Sequence, residues 1–359
     1  MNKVNLAIIG SGRIAGHHIK AIKKYKKINL ISICDLDIKK AKKYSNSKIK
    51  TYQNYNQMLM KHPEINCVAI MTPSGMHFDH AFQIIKNFKK NVIIEKPTVL
   101  RMDQLKKIYS LAKQKKCKIF PVFQNRYNKA VQRVYKSIKN NEIGKINIVN
   151  VRVRWCRTQR YYNSAKWRGT YSHDGGVLTN QGIHHVDLLR HLGGEIKKVF
   201  CKMKTFGSKI QVEDTATASL EFISGAVGTI EVTTAARPKD YEASISIMGT
   251  KGTIQIGGIA VNQLEQFSMN ERDIRKFSEK VPDAYGFGHY SFYKDVVKSL
   301  INKKKFPIDF RECEKTLRLL HSFYSSNEKK KEVTVAKVKK SSRLGEDNKS
   351  ISNLYTYEK

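Results

Sequence analysis

The chain has 359 residues, with 67 Lys and Arg against 30 Asp and Glu, for a formal net charge of +37. That length allows two domains with cores of their own, and 40% hydrophobic content with no apolar run of membrane-span length argues against a membrane-embedded protein. The excess charge is mostly Lys, in pairs such as Lys23-Lys24, Lys39-Lys40 and Lys89-Lys90. With abundant Ile and Asn it reads as codon bias laid over solvated helix faces, not as a nucleic-acid footprint, although such a surface would still attract an anionic substrate.

Strand-like runs at 4–9, 30–34, 67–71, 91–94 and 118–122 alternate with helix-like segments at 14–25, 38–44, 55–61, 78–89 and 102–115. This alternation predicts an N-terminal doubly wound parallel sheet covered on both faces. Met1-Asn2-Lys3-Val4 runs directly into the first strand, so no signal peptide is expected and the location is read as cytoplasmic. Cys34, Cys67, Cys117, Cys156, Cys201 and Cys313 are scattered with no C-x-x-C pair, which reads as reduced core thiols and no zinc site.

From 146 to 267 the pattern becomes mostly strand: 146–155, 198–205, 215–222, 227–234, 242–249 and 252–256, interrupted by a helix near 182–192. Apolar and polar residues alternate in several of these, as in an open, mostly antiparallel sheet with one buried face. Helices at 290–303 and 311–325 are expected to pack back on the first domain. The division predicted is 1–124, a dinucleotide-binding domain; 125–335, a substrate and oligomerisation domain of α+β type; and 336–359, a basic, mobile tail. The open sheet suggests a homodimer or homotetramer.

The first strand enters Gly10-Ser11-Gly12-Arg13-Ile14-Ala15-Gly16 and then a helix, and Asp35 follows the second strand. This is the full context of a dinucleotide-binding turn. Gly10 permits the tight turn, Gly12 lets the backbone approach a pyrophosphate, and the helix N-terminus offers free N–H groups. Asp35 suits a ribose diol and repels a 2′-phosphate, favouring NAD over NADP. Gly10, Gly12, Arg13, Ile14 and Asp35 are the expected core of the cofactor site.

Four further segments carry chemistry. Glu95-Lys96-Pro97 ends a predicted strand, where ligands of doubly wound folds bind, and Lys96 could exchange a proton with a substrate hydroxyl. Thr72-Pro73 ends another strand and could shape the wall near the nicotinamide ribose; His77 either touches that ribose or caps the next helix. Asn180, His184 and Asp187 are spaced i, i+4, i+7 behind Gly175-Gly176, so a helix would place them on one face, where they could bind the reacting carbinol. Metal binding is the rival there, but no second cluster completes a ligand set. Finally, 152–170 holds both tryptophans and five arginines, with Arg154, Arg157, Arg160 and Arg168 among aromatic Tyr162 and Trp167. Arg in a Lys-rich chain suggests planar recognition of carboxylate or phosphate.

Together these segments resemble the Gfo/Idh/MocA oxidoreductase family over about residues 4–330; Glu95-Lys96-Pro97 is highly specific for it. The resemblance implies a Rossmann domain joined to a sheet-bearing substrate domain, with Glu95 and Lys96 at the cofactor, Lys96 as the catalytic lysine and His184 as the substrate-binding or proton-shuttling histidine. Asn180 stands where the common pattern has Asp, which argues against a proton relay there and against a standard inositol dehydrogenase. The stretch from Tyr161-Tyr162 through Trp167-Arg168-Gly169-Thr170 to His184 is similar to the UDP-N-acetylglucosaminuronate 3-dehydrogenase branch, which oxidises C3 of the sugar for surface-polysaccharide synthesis. That implies a UDP-sugar substrate, NAD, and for some relatives 2-oxoglutarate as the final hydride acceptor. The alternatives are a dehydrogenase of a free sugar or inositol, and a non-catalytic NAD-binding regulator acting on nucleic acid.

Overall fold

The computed structural model describes residues 2–357. The chain forms two compact units. The first gathers residues up to Val122, His289–Glu314 and the segment from Asp347 on; the second comprises Phe123–Gly288 and Lys315–Glu346.

In the first unit, β1 (Val4–Ile9), β2 (Ile28–Cys34), β3 (Lys50–Tyr52), β4 (Cys67–Ile70), β5 (Asn91–Ile94) and β6 (Ile119–Pro121) form one parallel sheet in the order β3-β2-β1-β4-β5-β6. Helices α1 (Ala15–Lys23), α2 (Ile38–Lys42), α3 (Tyr55–Lys61), α4 (His77–Phe88) and α5 (Met102–Gln114) connect them. Central strands buried on both faces must be apolar throughout, and Leu6, Ile8, Val68, Ile70, Val92 and Ile94 are all buried. The order reverses between β1 and β4, which creates a crevice at the carboxyl edge. Register lines up what lies on that edge: Ile9 pairs with Cys34 and Ile70, and Ile70 with Ile94. Gly10, Asp35, Met71 and Glu95 therefore emerge side by side. Only the three-residue edge strand β3 lacks a sequence signal; its ladder needs just three residues of β2.

The second unit is built on an eight-stranded sheet: β7 (Ile146–Arg154), β8 (Ile196–Lys204), β9 (Thr215–Phe222), β10 (Val227–Thr233), β11 (Glu242–Gly249), β12 (Thr253–Gly257), β13 (Gln263–Phe267) and β14 (Val333–Thr334), in the order β13-β12-β11-β7-β10-β9-β8-β14. All neighbours are antiparallel except β7 and β10. Along β7, Val149, Val151 and Val153 are buried while Arg152 is exposed. Helices α6 (Lys129–Lys139), α7 (Gln159–Asn163), α8 (Ile183–Gly193) and α9 (Arg272–Phe277) belong here, and α8 lies on the β7 side of the buried face.

The closing helices are α10 (Gly288–Ile301) and α11 (Phe310–Lys329). From His289, α10 belongs to the first unit; α11 starts there and continues in the second from Lys315. The mobile tail expected from 336 is corrected. Val338 and Leu344 are buried, Ser341 Oγ donates to Glu328 at 2.6 Å, and Gly345 N donates to the Tyr171 carbonyl at 2.9 Å. A few apolar anchors outweigh the Lys-rich composition around them.

Candidate active site

The turn after β1 is shaped by what its glycines leave out. Gly10 has φ +89°, and a Cβ there would lie 2.6 Å from the Met71 carbonyl oxygen, so only glycine fits. At Gly12 a Cβ would meet nothing within 4 Å. That open space lies ahead of α1, whose first turn carries no acidic residue to compete for its N–H groups. Arg13 is exposed and Ile14 caps the helix. Asp35 is held in place: Oδ2 accepts from Ser11 N at 2.7 Å and Ser11 Oγ at 2.9 Å, and Oδ1 from Asp37 N at 2.9 Å. An open glycine cradle, a helix end free of acids and a fixed carboxylate at the neighbouring strand end fit a bound NAD.

Lys96 follows β5 half-buried, with a cis bond to Pro97. Glu95 is not exposed beside it but buried beneath. Its Oε2 accepts from Lys96 N at 3.0 Å, and its Oε1 lies 2.8 Å from His18 Nε2 and 3.8 Å from His289 Nε2. His18 Nδ1 meets Tyr293 Oη at 2.8 Å. Burial alone would raise the Glu95 pKa, but the two histidines hold it well below the usual carboxylate range. The expected cofactor contact by Glu95 is thus corrected to support of the Lys96 backbone. His18, Glu95 and His289 also bring three ligand-type atoms within 4.8 Å of one another, a set that sequence reading missed because its members are far apart in the chain.

Thr72 Oγ1 lies 2.9 Å from His80 Nδ1. His77 is corrected as well. Its ring is buried, Nε2 faces the Thr72 carbonyl at 2.9 Å and Nδ1 the Pro97 carbonyl at 2.8 Å. It lies between the loop after β4, with Thr72-Pro73, and the Lys96-Pro97 turn, and in its neutral form donates to one of the two carbonyls. Burial pushes its pKa down.

In the second unit, Gly175-Gly176 opens a π-helical turn, Val177–Gln181, before α8. Such turns recur at functional sites. Asn180 therefore lies outside the regular helix, and the single face predicted for Asn180, His184 and Asp187 does not form. Asn180 Nδ2 donates to Asp174 Oδ1, whose other oxygen accepts from Gly169 N at 2.7 Å. His184 is 8% exposed, edge-on to Phe123 at 6.4 Å between ring centres. Asp187 is corrected from substrate ligand to buried ion-pair partner. Arg126 grips it through Nε and Nη2, each at 2.7 Å, and Thr316 Oγ1 donates at 2.9 Å. Burial would raise its pKa, yet Arg126 brings it down to about 2.

The arginines separate by environment. Arg154 is bound by Glu231 at 2.6 and 2.8 Å and by Glu242 at 3.1 Å, on the face of β7 opposite Val153. It is therefore removed from the candidate set. Arg160 is exposed. Arg157 pairs with Asp240 at 2.9 Å and lies over Trp155 and Tyr161. Arg168 stacks 4.2 Å from the centre of Tyr161 and 4.6 Å from that of Trp167, and donates to the Tyr161 hydroxyl. Its Nε is buried with no hydrogen-bond partner. Tyr162 is corrected too: its ring is core and its hydroxyl meets Thr234 Oγ1 at 2.8 Å. The tyrosine beside Arg168 is its neighbour Tyr161, which also accepts from Gln181 Nε2 at 2.8 Å and so ties the cluster to the π-helical turn.

Two family descriptions match the chain: an oxidoreductase family NAD-binding Rossmann fold over residues 4–123, and the GFO/IDH/MocA C-terminal domain over residues 131–255. The chain belongs to the Gfo/Idh/MocA oxidoreductase family. Among solved members, it is similar to the WlbA dehydrogenase of Bordetella pertussis in complex with NADH and UDP-GlcNAcA. The two are 33% identical, with 93% of this chain and 98% of that one covered and a TM-score of 0.87. The WlbA dehydrogenase of Chromobacterium violaceum, with the same two ligands, is 34% identical over 93% of this chain and 96% of that one, at a TM-score of 0.84. The myo-inositol 2-dehydrogenase of Thermotoga maritima is 25% identical over 309 residues, covering 82% of this chain and 88% of its own. As a Gfo/Idh/MocA member this protein is an NAD-dependent oxidoreductase, and the open cradle at Gly12 belongs to its NAD-binding domain. Among the described residues no helix is long and apolar enough to cross a membrane.

Proposed function

We propose that this Gfo/Idh/MocA protein oxidises the C3 hydroxyl of UDP-2-acetamido-2-deoxy-glucuronate to a ketone, in the supply of a surface-polysaccharide precursor. The observation that carries this reading is Arg168. In a chain that defaults to Lys, a half-buried guanidinium lying over both Tyr161 and Trp167 offers the planar fork that suits a carboxylate or phosphate. The likeness to two dehydrogenases crystallised with UDP-GlcNAcA supports it.

Bound NAD supplies the hydride acceptor for C3. Lys96 takes the proton from the C3 hydroxyl, so that the carbon loses a hydride and the oxygen a proton, leaving the ketone. His184, in the second unit, is the substrate-binding histidine of this reading. Arg168, on its aromatic platform, holds an anionic group of the substrate. The 2-acetamido group and the uronate stay intact. Catabolic oxidation of a free sugar or inositol is the second reading, supported by the myo-inositol relative; Asn180, an amide where a relaying Asp would stand, disfavours it.

The test is turnover with NAD of UDP-N-acetylglucosaminuronate, UDP-N-acetylglucosamine, myo-inositol and glucose, with and without 2-oxoglutarate, followed by mass spectrometry. Loss of two hydrogens from the UDP-uronate alone is expected, and faster turnover with 2-oxoglutarate would identify it as the acceptor that recycles the cofactor. Turnover confined to free polyols would overturn the assignment.

A further inference from the structure

Behind the π-helical turn lies an acidic side chain that the chemistry above does not use. Glu213, in the loop before β9, is buried. Its backbone carbonyl accepts from Val177 N at 3.2 Å, and Oε1 lies 3.4 Å from Leu178 N and 2.7 Å from the Tyr324 hydroxyl. Oε2 is buried with no hydrogen-bond partner. A Cβ at Gly176, where φ is +85°, would lie 2.2 Å from either carboxyl oxygen, so the carboxyl occupies the space that this glycine leaves.

Counting protons decides its state. Tyr324 has one hydroxyl proton and two close neighbours that can accept it, the Gly175 carbonyl and Glu213 Oε1; Thr179 Oγ1 lies 3.2 Å away. A carbonyl only accepts. If Glu213 were ionised, one of the two acceptors would face a lone pair of the phenol, and Oε2 would be a charged oxygen buried without a donor, which is costly. If Glu213 keeps its proton, both contacts are satisfied in series: carboxyl to phenol, phenol to carbonyl.

We propose that Glu213 is a positioning residue for the substrate-binding turn, a neutral carboxyl whose proton orders Tyr324 against the Gly175 carbonyl and so fixes the turn that delivers Asn180 and His184. This rests on the reading that this segment meets the substrate. The titratable groups that face Glu213 are Tyr324 from α11, Asp174 and Tyr171 from the loop before Gly175, and Cys201 from β8. Burial comes first in pushing its pKa up, to about 8, and the Asp174 charge adds to the rise, against the hydrogen bonds from Tyr324, from the backbone N–H of Glu213 itself and from Leu178. The relay is therefore complete at neutral pH and opens as pH rises past about 8.

The experiment compares wild type with Glu213→Gln, Glu213→Ala and Tyr324→Phe. An amide N–H can replace the carboxyl proton, so Glu213→Gln should stay within about threefold of wild type in kcat at pH 7. Glu213→Ala and Tyr324→Phe should each lose about tenfold or more through a displaced turn, with NAD affinity unchanged in all three. The ratio of wild-type to Glu213→Gln kcat should fall above about pH 8. A second arm needs no substrate. The folded-state pKa is raised from 4.5 to about 8, so wild-type stability relative to Glu213→Gln should fall from about pH 4.5 to about pH 8 and be flat above. Identical pH dependence of stability in the two proteins would show that Glu213 is ionised and overturn the proposal. Full activity of Glu213→Ala would overturn the positioning role. If no UDP-sugar is turned over, the kinetic arm runs on whichever sugar is, and the stability arm stands by itself.

Discussion

Both units carry a glycine turn that leads into a helix, and the two turns are filled from opposite directions. After β1, a side chain at Gly12 would enter open space before the N-terminus of α1, which suits a cofactor phosphate. Before α8, a side chain at Gly176 would strike the carboxyl of Glu213, so the protein fills that space itself. Similar local sequence thus produces a ligand cradle in one unit and an internal brace in the other. What separates them is a residue supplied from elsewhere in the chain. The same contrast holds for charge: Asp35 sits half-buried at a strand end and holds only N–H and O–H groups of its own loops, whereas Asp187 is buried against Arg126.

The largest expected effect is on Lys96. Lys96→Met should lower turnover by about 10²- to 10⁴-fold, the range for loss of a general acid or base, while NAD titration shows unchanged binding. Normal turnover would remove Lys96 from the chemistry. Next comes Asp187→Asn, which breaks the buried two-bond pair with Arg126 and should cost about 3–5 kcal/mol in a denaturant titration. The pKa of Asp187 is lowered from 3.8 to about 2 in the folded protein, so its contribution is present at neutral pH and lost as pH falls from about 4 toward 2. A substrate ligand would instead show its loss in KM with stability intact.

The two glycines give the direct contrast. Gly176→Ala should destabilise by about 1–3 kcal/mol, since φ is positive and the Glu213 carboxyl must leave its place against Tyr324, with NAD affinity of the folded protein unchanged. Gly12→Ala should leave the melting temperature near wild type but weaken NAD binding about tenfold, as a methyl group enters the cradle. If both variants behaved alike, the distinction between cradle and brace would fail. The smallest effect is expected for Arg154→Ala, within about twofold of wild-type KM, because three carboxylate contacts already occupy that guanidinium on the outer face of β7. Arg168→Ala should raise KM for an anionic sugar by about tenfold or more, and equal KM values for the two variants would refute the sorting of the arginines.

Much of the first unit was legible in the chain because its signals are contiguous. Apolar runs of strand length, Gly10-x-Gly12 and Asp35 at the next strand end are constraints on backbone and local sterics, which neighbouring residues impose on one another. Lys96 was legible for the same reason, as the residue that follows a buried strand. The second unit's sheet could be read from its alternation, but its site could not. Tyr161 and Tyr162 are adjacent and chemically identical in sequence; only the turn of α7 sends one ring to Arg168 and the other into the core. Arg154 looked like its neighbours until Glu231, 77 positions away, came to lie beside it.

The sequence by itself determined the parallel sheet, the mostly antiparallel sheet that follows it and the position of Lys96 after β5, because each follows from short-range periodicity and steric rules. Tertiary structure alone decided which charged groups are available to a ligand. His18 meets Tyr293 across 275 positions, and Glu213 meets Tyr324 across 111. Whether a polar side chain serves the fold or a ligand depends on whether such a distant partner already satisfies it, and hydrogen bonds and ion pairs act over a few ångströms of space, whatever the separation along the chain.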